Sequence, residues 1–174
     1  MAVSALVLTS CTREDDESAL KIARDLMERV YILNEAYYGE GLPYDEDEHA
    51  DGNYYYVTED APIRTRNDLI VQTKEIFSSA IATSLISVYL DGTSSLGVVV
   101  FARYLTGASG YLTVYKDYDN VVKNVTKYDT STLVITKNSR NKIVFEISTA
   151  DLSKSTEVEL VWERAGWRIN SPTY

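Results

Sequence analysis

The chain is short of the residues that do chemistry: one cysteine, one histidine and 17 basic residues against 26 acidic ones in 174 positions. A single cysteine, Cys11, excludes an internal disulfide. A single histidine, His49, means that any Ser-His-Asp or Cys-His arrangement would have to use it. His49 follows the run Asp45-Glu46-Asp47-Glu48, with no G-x-S-x-G nucleophile signature nearby, and we expect no enzyme. The deficit of Lys and Arg, a net charge of -9, speaks against nucleic acid, whose affinity rests on neutralised phosphates. It also disfavours adsorption to an anionic lipid surface. No apolar run reaches the length that crosses a bilayer. Phenylalanine is scarce, at 3, while tyrosine reaches 14, a ring with a polar tip that suits half-buried faces and contact surfaces.

The first residues, MAVSALVLTSC, place a short apolar run before Leu8-Thr9-Ser10-Cys11. This matches the bacterial lipobox, in which small residues let an extended segment enter the signal peptidase and the thiol then takes a diacylglyceryl group. Cys11 is therefore expected to be lipidated, with residues 1–11 as signal, 12–17 as a tether, and one domain over 18–174 held at the outer face of the bacterial cytoplasmic membrane. No Lys or Arg precedes the apolar run, and a start placed downstream of the natural one would account for that. The competing reading is an unmodified cysteine at the head of a cytosolic helix.

Apolar residues at three- and four-residue spacing (Ala19, Ile22, Ala23, Leu26, Val30, Leu33, Tyr37) predict a helix over 18–38, capped by Ser18 or an acidic residue just before it. Residues 39–53 read as a polar loop. Tyr54-Tyr55-Tyr56-Val57 reads as a short strand or arm, and a second helix is expected over 67–88 with Thr65 or Asn67 as cap. Beyond residue 97 the period falls to two, predicting strands at 98–105 and 111–115, then 132–137, 142–148 and 157–164, with a turn at Ala165-Gly166 into a last strand at 167–170. The segment 117–128 is ambiguous. The fold class is α+β, two N-terminal helices packed on one curved antiparallel sheet of about five strands.

The order helix, tyrosine-rich arm, helix and long meander, ending in Trp167-Arg168-Ile169-Asn170-Ser171-Pro172-Thr173-Tyr174, resembles cone-shaped domains of the cystatin-like, or nuclear-transport-factor-like, superfamily. More narrowly it resembles the secreted inhibitors of bacterial cell-wall DL-endopeptidases. The matching pieces are Tyr55-Tyr56-Val57, Asp68-Leu69, Ile76-Phe77-Ser78, Arg103-Tyr104 and Gly110-Tyr111-Leu112. The resemblance implies an acidic surface that occupies the substrate cleft of a hydrolase. No loop of the family aligns residue by residue with Asp45–Glu48, so that run is a candidate on its charge alone.

The candidate partner-binding residues are Asp45, Glu46, Asp47 and Glu48, the arm Tyr54, Tyr55 and Tyr56, and Arg103, Tyr104 and Tyr111 at the mouth of the cone, with Arg103 able to fork a carboxylate. Against each stands a plainer reading: solvated charge, tyrosines that cover strand faces, and an arginine whose stem lies on them. Asp45–Glu48 lacks the alternating ligands and internal glycine of a calcium loop, so no metal is expected, and no cofactor. Trp162 and Trp167 read as hairpin packing. Asn124-Val125-Thr126 matches a glycosylation acceptor by chance. The expected partner is a protein or cell-wall component, with a basic cell-wall hydrolase as the specific case. The alternative is a small-molecule-binding or isomerase-like cone, with an Asp or Glu facing a Tyr in an internal pocket.

Overall fold

The computed structural model describes residues 13–95, 98–116, 118 and 125–174. Cys11, the start of the tether and Asn124 lie outside the described residues. The first element, α1 (Asp16–Tyr38), begins where Asp15 accepts hydrogen bonds from the backbone N–H and the hydroxyl of Ser18, both at 2.9 Å. Those bonds hold the Asp15 carboxyl below its ordinary pKa. Asp16 and Glu17, expected at the end of the tether, form the first helical turn and face the positive end of the helix dipole. The apolar stripe is buried as its spacing predicts, apart from Ile22, which is half-buried.

The acidic stretch is not a loop. Residues Tyr44–Asp51 form strand β1, which turns at Gly52-Asn53 and pairs antiparallel with β2 (Tyr54–Val57). The expected second helix is also corrected. It divides into α2 (Arg66–Ile76), capped by Thr65, and α3 (Ser79–Ile86), which runs on into a π-helical turn, Ser87–Asp91. The apolar spacing continues across the break, but a tertiary contact overrides it. Phe77 bridges Ile169, and the Ser78 N–H donates to the Ile169 carbonyl at 2.8 Å, so two residues turn away from the helical path to pair with a strand.

The remaining strands are β3 (Thr93–Ser95), β4 (Val98–Val100), β5 (Tyr104–Thr106), β6 (Leu112–Tyr115), β7 (Tyr128–Ser139), β8 (Lys142–Thr149), β9 (Ser155–Glu163) and β10 (Gly166–Ile169). In place of one five-stranded sheet there are two four-stranded antiparallel sheets, ordered β1-β2-β6-β5 and β10-β9-β8-β7, and a two-stranded ribbon, β3-β4. The architecture is α+β. The sheets separate because β6 pairs with β2 rather than with the C-terminal meander. The last turn is Arg164-Ala165, at φ 51° and 59°, and Gly166 already pairs with Glu163. Both turn residues sit in the left-handed region that a two-residue hairpin demands.

The core lies where α1 and α2 pack on β7 and β10. Ile143, Phe145 and Ile147 of β8, Val158 and Leu160 of β9, and Ile169 of β10 are nearly or fully buried at alternate positions, as a one-sided sheet requires. Trp162 and Trp167 face each other across the β9–β10 pair, edge to face with centroids 5.5 Å apart, which is the expected hairpin packing. Among the described residues no helix is long and apolar enough to cross a membrane.

Candidate binding site

Two of the predicted contact residues belong to the core. Arg103 is 2% exposed and Tyr104 is fully buried. The Arg103 guanidinium donates to the carbonyls of Tyr37 (3.0 Å) and Gly39 (2.7 Å), and the Tyr104 hydroxyl donates to the carbonyl of Ala36 (2.6 Å). That hydroxyl also accepts from the Leu42 N–H at 3.1 Å. These are the carbonyls that the end of α1 leaves without helical donors, and its last turn has no basic residue of its own. Arg103 therefore brings the missing positive charge to the negative end of the dipole. The expected strand 98–105 is interrupted at Phe101–Arg103, where the chain swings this side chain into the cap. Gly41 completes the fit. It takes φ +100°, and a Cβ there would stand 2.8 Å from an Arg103 Nη.

The cap aims the chain that leaves it, through Leu42 and Pro43, into β1. Pairing between β1 and β2 slips in register between Tyr44↔Val57 and His49↔Tyr55, so the acidic run bulges out of the ladder. Asp45, Glu46, Asp47 and Glu48 are all exposed on an outer strand of the sheet. They do not act as one patch. Glu46 meets Lys116 at 2.8 Å, and that bond raises the pKa of the lysine. Lys116 also lies 5.5 Å from the Tyr55 ring centroid, and the His49 ring packs 4.2 Å from Tyr55. Asp45 accepts from the Asp47 N–H at 2.9 Å.

Asp45 and Glu48 line an open hollow of about 430 Å³, together with Tyr56, Glu59, Arg64, Ser109 and Tyr111. Alternation along β2 separates the tyrosines, with Tyr55 on one face and Tyr54 and Tyr56 on the other. The Tyr54 hydroxyl is tied to the Ala102 carbonyl at 2.6 Å, which anchors the arm beside the cap. Tyr56 leans over Gly107, where a Cβ would strike its ring. Gly107→Ala is accordingly expected to push the Tyr56 ring toward the hollow. Altered Tyr56 ring shifts in NMR spectra, with the β5–β6 amide pattern kept, would report it.

Of the ten predicted contact residues, Asp45, Glu48, Tyr56 and Tyr111 thus meet at one hollow. Glu46 and Tyr55 sit on the other side of the hairpin, and Arg103 and Tyr104 lie within the core. The arginine that does stand at this face is Arg64. Ile63 before it is buried, and the Arg64 carbonyl accepts from the Leu112 N–H at 2.7 Å, which sets its side chain beside Tyr111. Its guanidinium carbon lies 4.3 Å from the centroid of the Tyr111 ring. Nothing in the local sequence around Pro62 marks it, because its neighbour Tyr111 is distant along the chain.

Among the described residues, carboxyl groups with displaced pKa values are all moved down: Asp15, Asp129, Asp151 (to about 2), Glu159 and Glu163, each mainly by hydrogen bonds or, for Glu159, by Lys142. Among the described residues no group of three or more His, Cys, Asp or Glu side chains could hold a metal ion. No family model matches the chain, and no curated protein matches its sequence.

Proposed function

We propose that this chain is a binding domain whose contact surface is the acidic, tyrosine-bearing face of the β1–β2 hairpin, and that its partner is a basic protein. The reading extends to a cystatin-like cone, lipid-anchored through Cys11 at the outer face of the cytoplasmic membrane, that inhibits a peptidoglycan DL-endopeptidase by occupying its cleft. The observation that carries it is the meeting of Asp45, Glu48, Tyr56 and Tyr111 around one open hollow on an exposed outer strand. Rigid aromatic rings ringed by charge are what contact surfaces use for area and for steering. The internal-pocket alternative would use the separate open cavity of about 360 Å³ lined by Val30, Tyr31, Asn34 and Tyr128, which gathers none of the predicted contact residues of the hairpin face.

A plainer role competes for the same carboxylates: charged side chains on an edge strand stop it from pairing with other chains. Binding separates the two. Asp45→Asn, Glu46→Gln, Asp47→Asn and Glu48→Gln together should weaken the affinity for a basic DL-endopeptidase about tenfold or more and flatten its salt dependence. Glu46→Gln alone should do least, because Lys116 already neutralises Glu46. Unchanged affinity and salt slope, with new self-association in sedimentation, would leave only edge protection.

A further inference from the structure

The hollow is lined by opposite charges that do not neutralise each other. Arg64 lies on Tyr111 with its Nε buried and unbonded, and no ion pair to it forms among the described residues. Asp45, Glu48 and Glu59 line the same space, also without an ion pair among the described residues. Tyr56 and Tyr111 supply aromatic walls. An arginine held over a ring has less rotamer freedom left to lose when a carboxylate meets its N–H fork. Opposing carboxylates beside aromatic rings suit an ammonium or guanidinium group with an aliphatic stem. At about 430 Å³ the space falls within the roughly 300–1,000 Å³ typical of small-ligand sites, enough for one amino-acid residue and its neighbour.

We propose that this hollow captures a basic amino-acid residue that carries a free carboxylate, with Arg64 forking the carboxylate and Asp45, Glu48 and Glu59 receiving the basic side chain. The inference rests on the hairpin face being the contact surface and specifies what that face reads. A cation alone would leave Arg64 facing like charge. An anion alone would face three carboxylates. Only a ligand bearing both charges satisfies both walls, and that ligand is either a free diamino acid or the end of a chain.

The test is calorimetric titration of the whole protein with four probes. Nα-acetyl-lysine carries both charges, its carboxamide lacks the carboxylate, and Nα-acetyl-norleucine lacks the ammonium. Ala-Ala-Lys represents a chain end. Nα-acetyl-lysine should bind about tenfold tighter than either truncated probe, the scale of one charge-assisted contact. Arg64→Gln should erase the preference for the acid over the carboxamide while keeping the preference for lysine over norleucine. Its backbone bond to Leu112 does not involve the side chain, so the fold should persist by circular dichroism. Asp45→Asn, Glu48→Gln and Glu59→Gln together should give the reverse pattern. Tighter binding of Ala-Ala-Lys identifies a chain end, and equal binding identifies the single residue as sufficient. If acid and carboxamide bind alike while the fourfold neutralised hairpin still loses its basic partner, carboxylate capture is wrong and the contact face stands. If neither effect appears, both fall.

Discussion

Arg103→Met should lower the stability of the protein by about 2–5 kcal/mol, because two buried carbonyls lose their donor at roughly 1–3 kcal/mol each. The methionine fills similar space but donates nothing. The carbonyls of Tyr37 and Gly39 would then stay buried without their donors, and the negative end of the α1 dipole would lose the guanidinium that caps it. Arg103→Lys should fall between the two, because a single ammonium keeps the charge but cannot reach both carbonyls in the fork geometry. Urea unfolding at constant slope measures the difference. A loss under about 1 kcal/mol for Arg103→Met would mean that water or rearranged backbone satisfies the helix end and that the cap is dispensable.

The same substitution has a functional reach. The chain leaves α1 through Gly39, Gly41 and Leu42, all touched by Arg103 or Tyr104, and enters β1 two residues later. A loosened cap should therefore show as faster amide exchange through β1 and β2 in a variant that is still folded, with weaker partner binding although no contact residue has changed. Arg103 and Tyr104 thus matter to the candidate face as supports rather than as members.

What can be read from the residues follows from where their stabilisation comes from. Helix α1 is legible because its burial is one-sided and local, so the stripe from Ala19 to Tyr37 repeats at helical spacing. Strands β8 and β9 are legible by alternation for the same reason. Strand β1 carries almost no apolar side chain and is held by main-chain pairing with β2, so its residues spell only charge. The break at Phe77-Ser78 is hidden because the apolar spacing runs straight through it, and only the distant Ile169 reveals why the helix stops. Arg103 and Tyr104 look like surface groups in the sequence because their partners, the last carbonyls of α1, lie more than sixty residues upstream. The acidic run and the tyrosines are visible as composition. That Asp45 and Glu48 turn toward Arg64 while Glu46 turns toward Lys116 depends on a register slip that composition does not encode.

Raising the pH should unfold the protein cooperatively between about pH 10 and pH 12, and the cause is tyrosine rather than loss of ion pairs. Burial pushes the Tyr104 phenol up to about 12, and the Tyr89 phenol, also mainly by burial, to about 12. Tyr37 and Tyr38 are raised by burial as well. A phenol is neutral when protonated, so a raised folded pKa means that the folded chain keeps a proton which the unfolded chain, with phenols near 10, gives up. Stability from this source is therefore fully present below pH 10 and is lost as pH climbs toward 12. A tenfold difference in proton affinity between the folded and unfolded chain corresponds to about 1.4 kcal/mol, so fully buried Tyr104 alone accounts for roughly 2–3 kcal/mol, and its buried neighbours act with the same sign. Together they rival the roughly 5–15 kcal/mol that holds a domain folded. The rise in phenolate absorbance from the buried rings should coincide with loss of the circular dichroism signal. Tyr104→Phe should be less stable at neutral pH, having lost its bonds to Ala36 and Leu42, yet should lose less on alkaline titration because one linked proton is gone. A single absorbance step near pH 10 across all 14 tyrosines, with the dichroism unchanged, would mean that the aromatic interior at the end of α1 is open to water. The cap that aims β1 would then be far looser than its hydrogen bonds require.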